Sequence, residues 1–300
     1  MLLEQLAKKE KLNVDFHNHL QTGSSFRQTQ KPKNFKEGFK NLLLEEGFSS
    51  LAGILDRVMK TKLDVLYITN SNEDARYEDW TSKEQVEIAK KRGYEIEQGQ
   101  YYTFAKKDNR VIALGKSHEI ATTRGHILFS GIKQGKKFSV QKSLEETLKE
   151  VNDAELKVAD HPYAKLKGQN GIMATSKNQE EDAKKVDAFE KNGNFYLPFS
   201  LANWRAIKNS EKYDKPLIAD SDGHHPRDIG KTYNTFDARD LNYTSERAFR
   251  DSINNAVRNN NFEYRFRPIP IWRVFHHAMM IGIHYIIEKF EKYKNKQQTI

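Results

Sequence analysis

Short apolar runs that stop at polar, potentially reactive residues recur along this 300-residue chain, and that recurrence constrains the fold more than any other feature. Residues 12–16 lead to His17, residues 63–68 to Thr69 and Asn70, residues 156–159 to Asp160 and His161, residues 186–189 to Glu190, and residues 216–219 to Asp220. A further run, residues 126–129, opens on His126. Each has the length of a buried strand, and helix-like stretches at 35–46, 51–60, 83–92, 144–152 and 179–185 fall between them. Strand and helix in alternation predict an α/β fold with mostly parallel strands, whose functional groups gather at the carboxyl ends of the strands. Residues 101–119 break the alternation: Tyr-Tyr-Thr-Phe-Ala, Lys-Lys-Asp-Asn and Arg-Val-Ile-Ala-Leu read as a hairpin inserted near the mouth. The expected division is a barrel domain over 1–267 and a C-terminal helix with a basic tail over 268–300.

The chain contains no cysteine, so any metal must be held by nitrogen and oxygen ligands. Its 17 Phe and 13 Tyr, with the Val, Ile and Leu runs, supply a core although 30% of residues are charged. A net charge of +9 favours anionic partners without choosing between a phosphorylated metabolite, a nucleic acid and a membrane surface. The amino terminus lacks the apolar core of a secretory signal, and no run of roughly 20 apolar residues could span a bilayer. A cytoplasmic location is expected.

Val-Asp-Phe-His17-Asn-His19 sets two imidazoles at i and i+2 on one face of a strand, where both can reach one ion. Isolated, such a pair reads as surface histidines. Its company changes the reading: Glu119 precedes Gly-His126, His161 stands in Asp-His-Pro, and Asp222 and His224 stand in Ser-Asp-Gly-His, at further strand ends. His118 would face away from Glu119, because neighbours on a strand point to opposite sides, and packing is its expected role. Arg27, Arg124, Lys165 and Arg227 lie beside the motifs and are candidate phosphate-binding residues. In residues 271–290, His276, His277 and His284 lack the i, i+4 pairing of a helical zinc site. That segment is expected to pack on the barrel or to bind a partner protein or a membrane surface.

In order and spacing these motifs resemble the PHP family, the polymerase and histidinol phosphatase domain, over roughly residues 13–235. The resemblance implies a distorted (β/α)7 barrel with metals at its mouth, and phosphoester hydrolysis. It implies that His17, His19, Glu119 and Asp222 hold one metal, that Glu119, His126 and His161 hold a second, and that Glu119 bridges them. Of the family's third-site ligands, two positions correspond here to Ser24 and Ser71, leaving only His224. A centre of two divalent ions is therefore expected, manganese, zinc or iron, with Glu119 and Asp222 central and His224 freed to act on the leaving group or the phosphate. Glu73 and Asp74, which follow Ser71, are expected to form a solvated loop rather than to rescue the third site. The leading function is a phosphoesterase acting on a nucleotide or nucleic-acid end. The alternatives are a small-molecule phosphatase of the histidinol-phosphate type and a binding or regulatory module that has lost catalysis.

Overall fold

The apolar runs form strands, and the strands curl into one sheet that nearly closes on itself. The computed structural model describes residues 2–20, 50–72, 75–151, 154–165, 170–193, 200–224 and 226–268. The C-terminal helix and basic tail expected beyond Pro268 lie almost wholly outside the described residues, as do Ser24, Arg27, Glu73 and Asp74. Strands β1 (Lys11–Asp15), β2 (Val65–Ser71) and β5 (Arg110–Ala121) run parallel, and β7 (Leu156–Ala159), β8 (Ala188–Asn192) and β9 (Leu217–Asp220) continue in the same direction. Between these two sets β6 (His126–Ser130) runs against both neighbours. On the other side β10 (Tyr233–Asp237) pairs antiparallel with β1, and β11 (Glu263–Arg265) with β10. The expected mostly parallel sheet is thus mixed.

The barrel closes through a side chain. Asn234 of β10 presents its amide to β9 as a backbone would: Ala219 N donates to its Oδ1 at 2.9 Å, and its Nδ2 donates to Ala219 O at 2.9 Å. Phe16 N donates to Asp220 Oδ1 at 2.9 Å, and a parallel bridge joins Asn18 to Gly223. These contacts pull the chain after β1 against the chain after β9, and with it His17, His19, Asp222 and His224.

The expected hairpin is β4 (Tyr102–Lys107) with β5, and β3 (Glu95–Gln98) adds to its free edge. Its turn contains Asp108, at a φ of 54°. That turn lies at the end opposite the mouth, a correction to the expected position. The register explains it: Val65, which opens β2, pairs with Ala113, so the turn lies beyond the start of β2, whereas Ser71 pairs with Glu119 at the far end.

Among the described residues three apolar clusters hold this arrangement. Val14, Val65, Ala113, Leu128, Val158, Ala188 and Ile218 fill the barrel, joined by Phe249, Ile253 and Val257, which recur every fourth residue along helix Glu246–Arg258. Each such burial contributes about 1.5–3 kcal/mol before entropy is counted. Helices Leu51–Val58 and Lys83–Lys91 cover the outer face of β2, and Leu144–Lys149, Gln179–Lys184 and Ser200–Lys212 cover that of β6 to β8. Among the described residues no helix is long and apolar enough to cross a membrane.

Candidate metal centre

The parallel strands deliver their terminal residues to one mouth. His17 and His19 follow β1, Glu119 stands near the end of β5, Asp160 and His161 follow β7, and Asp222 and His224 follow β9. His126 arrives differently, as the first residue of β6, which reaches the mouth by its amino end because it runs antiparallel and pairs with Ala121. His161 and Asp222 take positive φ angles of 27° and 44°, a conformation non-glycine residues adopt at a cost. At His161 the kink breaks strand alternation, so that Asp160 and His161 both turn into the mouth.

The side chains converge on two adjoining groups. His17 Nε2 lies 2.9 Å from His19 Nε2, 3.6 Å from Asp222 Oδ1, and His19 Nε2 lies 3.7 Å from the same oxygen. On the other side His126 Nδ1 contacts Glu119 Oε1, and His161 Nε2 lies 3.5 Å from that oxygen. The other Glu119 oxygen, Oε2, lies 3.2 Å from His19 Nε2. One carboxylate therefore faces both groups, one oxygen to each. His224 stacks on His19 with ring centroids 4.9 Å apart, and its Nε2 lies 3.3 Å from Asp222 Oδ1. Ser71 Oγ lies 3.4 Å from Glu119 Oε2, so this position does face the cluster.

Two further carboxylates sit beneath these groups. Glu190 Oε1 accepts from His17 Nδ1 at 2.8 Å, while its Oε2 accepts from the His161 backbone N–H and from Asn192 Nδ2, each at 2.8 Å. Asp160 is wholly buried, and among the described residues neither of its oxygens accepts a hydrogen bond. In the sequence both stand at the ends of apolar runs, outside the candidate ligands. Alternation carries the missing signal: Leu156, Val158 and Asp160 share one face of β7, and Ala188, Glu190 and Asn192 one face of β8, with the apolar members inside the barrel.

The electrostatics are those of a site built for cations. Burial opposes charge on His17, but Asp222 and Glu190 outweigh it and push its pKa up to about 10. Burial holds neighbouring His19 down to about 4, against the pull of Glu119. Without a metal, a proton on His17 thus lies between the two rings. Asp222 and Glu119 remain ionised despite burial, because the imidazoles hold their pKa values far below the usual range. Burial, followed by Glu190 and Glu119, drives Asp160 well above it. Four carboxylates buried among imidazoles, one of them without a donor, form a nitrogen and oxygen set that fits divalent zinc, manganese or iron.

The basic candidates separate. Arg124 grips the buried carboxylate of Asp182 with both terminal nitrogens, so its guanidinium is committed to a protein partner. Lys165 and Arg227 are exposed. The loop carrying Arg227 is tied down by Arg57, which donates to Pro226 O at 2.8 Å and to Arg227 O at 3.4 Å. His118 points away from the cluster, edge-on to Phe138 at 5.2 Å.

The fold and the cluster together define an α/β barrel protein with a histidine and carboxylate centre at the mouth of its strands. A PHP-associated family model, PHP_C, matches residues 200–257, the stretch that supplies β9, Asp222, His224, β10 and nearly all of helix Glu246–Arg258. Over that stretch the chain is similar to the PHP-associated family. Among solved structures it is similar to PsfC from Pseudomonas syringae PB-5123, with a TM-score of 0.58 and 15% identity over 92% of this chain and 100% of that one, a likeness of fold. It also overlaps a two-domain protein from Bacteroides vulgatus containing a predicted PHP-like metal-dependent phosphoesterase. That overlap, with a TM-score of 0.46 and 17% identity over 86% of this chain and 65% of the other, is too loose to carry weight. No curated protein sequence matches the chain.

Proposed function

We propose that this chain is a metal-dependent phosphoesterase that works with two divalent ions. His17, His19, Glu119 and Asp222 would hold one, Glu119, His126 and His161 the other, and Glu119 would bridge them. The observation that carries this reading is the Glu119 carboxylate, whose Oε2 faces His19 and whose Oε1 faces His126 and His161. When bound, such ions supply an activated water and neutralise charge developing on the phosphoryl oxygens.

The protein groups have separate tasks in this scheme. Glu119 and Asp222 fix the ions and offset their charge. His224, partly exposed and stacked on His19, stands where it can hold the phosphate or protonate a leaving oxygen. Arg227 and Lys165 are exposed cations for the remaining substrate charge; Arg124, locked to Asp182, is the weaker candidate. The net charge of +9 favours a polyanion, so a nucleotide or nucleic-acid end is the preferred substrate class.

The test is manganese-dependent hydrolysis of a phosphate monoester, a generic phosphodiester and an end-labelled single-stranded oligonucleotide. Asp222→Asn serves as control and is expected to lower the rate about 100-fold or more with unchanged circular dichroism. Preference for the oligonucleotide supports the polyanion reading, and preference for the monoester supports a small-molecule phosphatase. Silence from folded, metal-loaded protein would replace both with a binding module.

A further inference from the structure

We propose that Asp160 is a metal ligand that completes, with Glu119, His126 and His161, a four-residue site on the β7 side of the mouth. The inference rests on the two-ion reading above and deepens one half of it. Asp160 is delivered by ordinary strand alternation from Leu156 and Val158, and the kink at His161 brings the next ring into the same space. Its carboxyl group is wholly buried, yet it accepts no hydrogen bond from the described residues. The groups nearest it are His161 Nε2, 3.2 Å from Oδ2, His17 Nδ1, 3.4 Å from Oδ1, and the carboxylates of Glu190 and Glu119. Crowded by other carboxylates in a buried site, Asp160 can ionise only at a cost, and a cation in contact with it removes that cost.

The spacing fits a shared ion. Ligand bonds of about 2.0–2.2 Å around a tetrahedral ion set neighbouring ligand atoms about 3.3–3.6 Å apart. Asp160 to His161 at 3.2 Å and His161 to Glu119 at 3.5 Å match that edge, and all four side chains offer atoms within 4.8 Å of one another. Asp160 also balances the centre. Each ion then has two imidazoles, one carboxylate of its own and a share of Glu119: His17, His19 and Asp222 on one side, His126, His161 and Asp160 on the other.

Two measurements test the assignment. Manganese titrated into the metal-stripped full chain, read by equilibrium dialysis, should give two ions for the wild type. Asp160→Asn should keep one within about twofold of its original affinity and weaken the other by at least about tenfold, the scale seen when even supporting groups of a metal site are lost. Two ions at wild-type affinity in Asp160→Asn would overturn the proposal, showing a neutral acid that the amide replaces. Because a buried substitution can disturb folding, manganese-loaded crystals of the wild type give an independent reading. An ion within about 2.2 Å of an Asp160 oxygen supports the assignment, and none within about 3 Å overturns it. A wild-type chain that binds no manganese sinks the two-ion reading together with this proposal, whereas failure of the Asp160 arm alone leaves that reading standing.

Discussion

On the proposed two-ion reading, replacing Glu119 by Gln should cost both ions at once, and the geometry sets the size of the effect. Oε1 faces His126 and His161, and Oε2 faces His19, so one substitution weakens two sites. An ion present at about 1,000 times its dissociation constant stabilises the folded state by about 4 kcal/mol, and two such ions by about 8 kcal/mol. In a chain of this size each kcal/mol moves the melting temperature by roughly 2 °C, so the wild type should melt about 16 °C higher in manganese than in chelator. In Glu119→Gln that difference should collapse to a few degrees, and in Asp222→Asn it should fall to about half. Scanning fluorimetry of each variant with and without metal makes the comparison. Because the difference is taken within a variant, loss of the Glu119 contact with His126 in the ion-free chain cancels. Equal metal-dependent shifts in Glu119→Gln and Asp222→Asn would refute the bridging role.

Three other perturbations follow from individual contacts. Glu190→Gln sets an amide between the donors His17 Nδ1, His161 N and Asn192 Nδ2; whichever way it turns, a donor meets a donor. Manganese affinity at the His17 site should fall about 10- to 100-fold, and calorimetric titration at wild-type strength would count against the orienting role of Glu190. Asn234→Ala removes the closing bonds to Ala219 N and O and should destabilise by about 2–4 kcal/mol in urea unfolding; a loss under about 0.5 kcal/mol would show that closure does not depend on it. The Asp182 carboxylate is held down to about 2, burial being outweighed by hydrogen bonds from Arg124, Ser176 and Lys185. A depressed carboxylate stabilises the fold fully above its unfolded value near 3.8, and that contribution is lost as pH falls toward 2. Asp182→Ala should therefore cost about 2 kcal/mol at pH 7 and progressively less below pH 4, as acid titration of both proteins would reveal.

Much of this centre was legible in the chain. Apolar runs ending in His17, His161 and Asp220 announce strands with chemistry at one end, and the structure brings His17, His19, Glu119, His126, His161, Asp222 and His224 to one mouth. Alternation along β7 and β8, extended past the last apolar residue, also points Asp160 and Glu190 inward. Strand identity and facing are local properties, fixed by the period of two in the backbone, and a sequence carries them directly.

Strand direction, chain closure and backbone strain are not local. That β6 runs backwards, and so presents His126 from its first residue, depends on its pairing with both β5 and β7. The hairpin turn falls away from the mouth because of the register between β5 and β2, which no motif encodes. That Arg124 pairs with Asp182, 58 positions later, is also beyond any motif. Likewise His161 takes its positive φ where Glu190, on the next strand, accepts from its backbone N–H. The sequence by itself determined which groups could bind metal and which way most of them face. Only the tertiary structure decided which atoms meet, because those distances are set by pairings between segments remote in the chain.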